Sequence, residues 1–225
     1  MRKIIHINLV LLFLMSLGNY SFGQYKDFNL WTSISVQKEL IKNLDLEIEI
    51  ENRFRNNMMT RDQSFADIGI EYSIKNLSAS LIYRFSNVND LESGYKFANR
   101  FTYQIQYSRE VKRFEMSLRG RYQNHYVNYF SSEDGTIPQN HLRTRVKLLY
   151  NIKGIPIDPF LSYESFVQLN YNEPRLIDKE RFSIGANYKI NKDNTFGVVF
   201  HIQPQSNIPD PETAYILGVK YSYDL

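Results

Sequence analysis

The residues best suited to chemistry in this chain are ionic ones set at alternate positions. Glu47, Glu49 and Glu51 occupy every second place of one stretch, and Arg119-Gly120-Arg121 and Arg143-Thr144-Arg145 do the same with guanidinium groups. On an extended chain, residues two apart share a side. Arg53, Glu71, Arg84, Arg100, Glu164 and Arg181 stand in similar stretches. Rows of one charge sign on a water-facing surface would repel, whereas acidic and basic rows can meet across an enclosed lumen. Two readings follow. A basic wall of Arg100, Arg119, Arg121, Arg143 and Arg145 opposite Glu47, Glu49, Glu51 and Glu71 would set a transverse field that orients dipolar or anionic solutes in a pore. Alternatively, the same groups pair with one another and fill a narrow interior. In either case a buried charge needs a partner.

Catalytic and metal chemistry find less support. A hydrolase would need a histidine beside a serine, or beside an acidic pair. His125 and His141 flank a long loop and His201 stands alone, without a local motif of that kind. Their spacing does not suggest a metal site, and the acidic pair Glu133-Asp134 reads as solvated loop. No glycine-rich loop could cradle a phosphate, and the aromatic residues alternate with the wrong partners to serve as stacking platforms for bases. The expectation is a protein that is not an enzyme and needs no cofactor and no nucleic acid.

The elements that must position these charges are extended. Apolar residues recur with period two in about eleven stretches. Leu44, Leu46, Ile48 and Ile50 alternate with Asp45, Glu47, Glu49 and Glu51; Tyr103, Ile105 and Tyr107 alternate with Thr102, Gln104 and Gln106; Tyr215, Leu217, Val219, Tyr221, Tyr223 and Leu225 share one face of the last run. A helix built from such stretches would be ringed by charge and have no apolar stripe. Most runs have about nine to thirteen residues, enough for the roughly 9–11 that a tilted strand needs to cross a bilayer. Connections alternate between short (such as Lys75-Asn76) and long (such as 127–139). Short turns at one end and longer loops at the other are the outer-membrane arrangement. An odd count of eleven is unusual for a single-chain bacterial barrel. It implies either that the first run, Phe28 to Val36, is not a wall strand or that a long run divides, hence an expectation of ten to twelve strands.

Composition agrees. Mean hydropathy is −0.43, yet aromatic residues make up 15% of the chain, with 17 Tyr and 15 Phe. A wall in which only alternate residues face lipid reconciles these values. Arg2 and Lys3, the apolar stretch from Ile4 to Leu17, and the small residues Ser21 and Gly23 read as a secretory signal over 1–23, cleaved before Gln24. The rest, 24–225, then forms one barrel domain. Without Arg2 and Lys3, 25 basic residues face 24 acidic ones, so the net charge falls from +3 to +1. Nothing in that balance favours a nucleic-acid partner. The absence of cysteine argues against a lipid-modified Cys anchor and disulfides.

Trp31, Glu51-Asn52-Arg53, Tyr83-Arg84, Asn99-Arg100, Arg119-Gly120-Arg121, Arg143-Thr144-Arg145, Glu164, and Arg181 before Gly185 and Tyr188 form a series. It resembles an uncharacterised family of Gram-negative outer-membrane barrels catalogued as a domain of unknown function, DUF2490. The resemblance implies fold and location and brings no catalytic residue or substrate with it. The expectation is therefore an all-β, antiparallel transmembrane barrel, an up-and-down meander in the cell outer membrane. Its partners would be outer-membrane lipids, the barrel assembly machinery during biogenesis, and a small solute if the interior is open. Its role would be structural or that of a narrow pore with a charged lumen. Two rivals remain: a soluble secreted or periplasmic barrel that binds an apolar ligand, and a barrel hydrolase.

Overall fold

The computed structural model describes residues 26–90, 94–127, 138–170, 177–208 and 210–225. The expected signal segment and the Glu133-Asp134 pair lie outside them. Eleven strands follow one another: β1 (Lys26–Ile41), β2 (Leu44–Arg55), β3 (Thr60–Ile74), β4 (Leu77–Asp90), β5 (Gly94–Val111), β6 (Phe114–Val127), β7 (Gln139–Tyr150), β8 (Ile157–Gln168), β9 (Lys179–Lys189), β10 (Asn194–Pro204) and β11 (Thr213–Asp224). They close into one barrel in which every strand pairs antiparallel with the next, and β11 returns to β1.

The odd count has a direct geometric consequence. Strand direction reverses at each turn of a meander, so the first and eleventh strands run the same way and can only close the ring as a parallel pair. That pair is continuous from Lys26 opposite Thr213 to Gln37 opposite Asp224. The run Phe28 to Val36 is thus a full wall strand and no long run divides, which corrects both sequence-level remedies for the odd number. The seam is reinforced from both sides. Ser35 Oγ donates to Ser222 Oγ at 3.0 Å. Lys220 of β11 reaches past β1 to Glu49 of β2 at 2.5 Å. Ser33 lies opposite both Lys220 and Glu51, so the strand between carries only a small side chain there.

Two-residue turns at Lys42-Asn43, Lys75-Asn76 and Lys112-Arg113 join strands at one end. Asn43, Lys75 and Lys112 adopt positive φ of 68°, 53° and 60°, the backbone hand that tight hairpins require. At the opposite end, Asn56, Asn57 and Met58 are successive left-handed residues (φ 60°, 53° and 65°). Such a run is strained and turns its amides to one side as an anion-binding concavity. Here the chain supplies its own anion: the Asp27 carboxylate accepts from the Asn56 and Asn57 amides, each at 3.0 Å. The start of β1 is thereby fastened to the β2–β3 turn.

Burial runs opposite to that of a water-soluble domain. Among the described residues the buried apolar set is Phe65, Ala98, Phe166 and Ile216, while Arg119, Glu164, Asp158, Gln104 and Gln123 are buried too. Ile68, Ile70, Leu81, Phe101, Tyr103, Ile105, Met116, Leu118, Leu161 and Ile184 are all exposed on the outside. Exposed aromatic side chains gather near strand ends: Tyr72, Tyr107, Phe114, Tyr188, Tyr221 and Tyr223 at the tight-turn end, Phe85, Tyr95 and Phe97 at the other. Cross-strand pairs tie these together, with ring centroids 5.4 Å apart for Phe85 and Phe97 and 4.9 Å for Phe114 and Tyr150. Aromatic pairs add about 0.5–1.5 kcal/mol beyond area burial.

Candidate functional site in the barrel interior

Period-two alternation carries every ionic residue singled out from the sequence to the inner face. A cavity of about 390 Å³ inside the barrel is lined by eleven of them: Glu47, Glu49, Glu51, Arg53, Arg84, Arg119, Arg121, Arg143, Arg145, Glu164 and Arg181. Glu71 instead lines a neighbouring 80 Å³ cleft with Glu47, Gln104 and Arg121. Arg100 sits between Arg84 and His125 in the sheet register and makes no ion pair or hydrogen bond among the described residues.

The charges do not simply meet across the lumen. Most are matched by neighbours. Glu51 accepts from Arg53 Nε at 2.5 Å. Asp67 takes both prongs of the Arg84 guanidinium, at 2.7 and 2.6 Å, the bidentate geometry that makes Arg–carboxylate pairs strong. Glu49 and Glu47 both face Lys220, at 2.5 and 3.6 Å. The expected contact between the early acidic row and the β6–β7 arginines is replaced by one carboxylate, Glu164, which is 3% exposed. It accepts from Arg119 at 2.7 Å and Arg143 at 2.9 Å, with Arg181 at 3.6 Å.

Aromatic rings support the cations. Trp31, on β1, lies under Arg53 at 3.9 Å and near Arg181 at 4.8 Å. Phe65 lies under Arg84 at 3.2 Å, and Phe166 is 4.5 Å from Arg143. Such contacts contribute about 0.5–2 kcal/mol each as water is excluded. They also hold long side chains in fixed positions across the lumen. The interior is further filled where glycine admits a neighbour: a Cβ on Gly185 would lie 2.6 Å from both the Phe160 ring and the Val198 carbonyl oxygen. The lumen thus holds ionic and aromatic side chains around the 390 Å³ cavity and the 80 Å³ cleft.

His125 and His141 are diagonal neighbours across β6 and β7, opposite Gln139 and Gln123, and His125 Nε2 is buried without a partner. Sequence reasoning overlooked the contact of His201 Nδ1 with Ser183 Oγ at 2.8 Å. His201 also packs against Trp31, ring centroids 5.6 Å apart. No carboxylate orients that imidazole among the described residues, which hold no group of three potential metal ligands.

Asp67, Lys147 and Gln104 stand on the polar phase read from the sequence, whereas Asp158 and Lys220 went unnoticed. Asp67, Lys147, Asp158 and Lys220 complete ion pairs or line the void. Gln104, buried at 8% exposure, accepts from Arg121 Nε at 2.5 Å. Asp158 and Lys220 lie in phase with the noticed residues, so strict alternation could have found them too. No curated protein matches the chain closely enough to lend a substrate or partner. The chain belongs to the family described as a protein of unknown function, DUF2490, whose model matches residues 28–212, from the third residue of β1 to the residue before β11.

Proposed function

We propose that the protein is an integral outer-membrane barrel whose ionic interior leaves a narrow passage or plugs it, with a structural or solute-conducting role and no catalysis. One observation carries this reading: the large apolar side chains point out of a closed barrel, and the ionic ones point in. Full burial of one such side chain is worth about 1.5–3 kcal/mol. Soluble monomers rarely expose contiguous apolar patches beyond a few hundred Å². Ile68, Ile70, Leu81, Phe101, Tyr103 and Ile105 alone form a continuous field over β3, β4 and β5. Acyl chains would cover it, and aromatic residues near both rims suit the membrane interfaces. A soluble barrel for an apolar ligand would need the opposite arrangement, with the greasy side chains lining the cavity.

Cell fractionation and gel migration test the location. The protein should partition with the outer membrane and, extracted in detergent, run faster unheated than boiled. Recovery in the periplasmic fraction, with no shift on heating, would sink the proposal. Planar-bilayer recording then separates passage from plug. A passage gives conductance that favours anions, and Arg119→Ala with Arg121→Ala shifts it toward cations; a plug gives none above background.

A further inference from the structure

The inner surface of β6 and β7 holds more cations than its neighbours neutralise. Arg119 faces Arg145 and Arg121 faces Arg143 across the strand pair, with Lys147 two residues further along β7. Directly opposed like charges destabilise a sheet. The flanking strands offer little relief. β5 presents the neutral Gln104 and Gln106 opposite Arg121 and Arg119, and β8 presents Ser162 and Glu164 opposite Lys147 and Arg145. Glu164 is already shared by Arg119, Arg143 and Arg181.

Donor capacity is correspondingly unspent. The Nε atoms of Arg119, Arg143 and Arg145 are buried without a hydrogen-bond partner, and Arg119 is only 6% exposed. Arg145 reaches Gln106 only at 3.5 Å. Lys147 has the Phe160 ring at 4.3 Å and no ion pair among the described residues. All five cations line the same 390 Å³ void, a volume within the range of small-molecule sites, about 300–1,000 Å³. A buried donor left without a partner costs stability, and an uncompensated buried charge costs more.

We infer that this wall is a binding site for an oxoanion, a carboxylate or phosphate group on a small solute, held by Arg121, Arg145 and Lys147, which line the void beside the Glu164 cluster and make no ion pair with it. Planar guanidinium forks suit two-oxygen acceptors better than a spherical halide. The wall faces the barrel axis, so the ligand comes from solution and not from a lipid headgroup in the surrounding bilayer. The inference depends on the interior geometry and holds whether or not the barrel conducts.

The test uses the protein folded in non-ionic detergent and titrated with inorganic phosphate or succinate, with chloride holding ionic strength constant. Calorimetry should show saturable binding, and the urea unfolding midpoint should rise with phosphate but not with equivalent chloride. Arg121→Gln with Arg145→Gln should weaken binding by about tenfold or more for each fork removed. If that pair does not fold, Lys147→Gln should still lower the phosphate-dependent rise. Equal stabilisation by chloride and phosphate, or an unchanged rise in these variants, overturns the site. Heat-dependent gel migration of each variant reports the barrel separately, so failed binding with intact migration counts against the site alone.

Discussion

On β2 and β3, Glu47, Glu49, Glu51, Asp62 and Asp67 each find a counter-charge close by; on β6 and β7 most basic side chains do not. Asp67 and Arg84 stand directly opposite each other and meet in two hydrogen bonds, and Glu51 and Arg53 pair along one strand. By contrast, Arg119, Arg121, Arg143 and Arg145 stand opposite one another in the sheet register, and only Arg119 and Arg143 reach Glu164 of β8. The first region resembles a structural filler in which charge is locally balanced. The second carries an imbalance that costs stability and is the natural place for function. Locally balanced ion pairs say little about what a barrel does; a surplus facing a void does.

That contrast is best broken at its hub. Glu164→Gln should leave three guanidinium groups without their shared carboxylate and destabilise the folded protein by about 3–5 kcal/mol, read by urea unfolding in detergent; an effect below about 1 kcal/mol would mean that the cluster is already hydrated. On the outside, Ile70→Arg should cost about 2–4 kcal/mol if that position lies near the bilayer midplane, measured by refolding into vesicles. Asp67→Asn should cost about 1.5–3 kcal/mol by removing a charge-assisted pair and should spare phosphate binding at β6–β7. Loss of binding there would show that the two regions are not independent. Arg145→Gln inverts the usual sign: relieving like-charge opposition should leave stability unchanged or raise it by about 0.2–1 kcal/mol without phosphate.

How much of this was legible follows from the range of each signal. Alternation is a property of a few neighbouring residues, so the strands, the two faces and the inward aim of Glu47, Arg119 or Arg181 could be read directly. Lys220 was equally readable, since it falls two residues before Ser222 and between Val219 and Tyr221 of the alternating apolar row, but it was passed over as part of an apolar terminal run. Pairing was not readable. Glu164 lies 45 residues from Arg119, and only the order of β6, β7 and β8 around the ring brings them together. The expectation that the early acidic row would answer the arginines failed because Glu49 and Glu51 were already engaged by Lys220 and Arg53.

By itself the sequence determined an all-β chain with period-two faces, tight turns at one end and ionic residues in phase along the strands, because side-chain direction on a strand is fixed by local backbone geometry. Only the tertiary structure decided how the ring closes and which charges remain unanswered. The parallel β1–β11 seam joins the two ends of the described chain, and no local pattern encodes a contact of that span. Nor does any local pattern report that three guanidinium groups would share one carboxylate beside a void, since that depends on the circumference of the closed sheet.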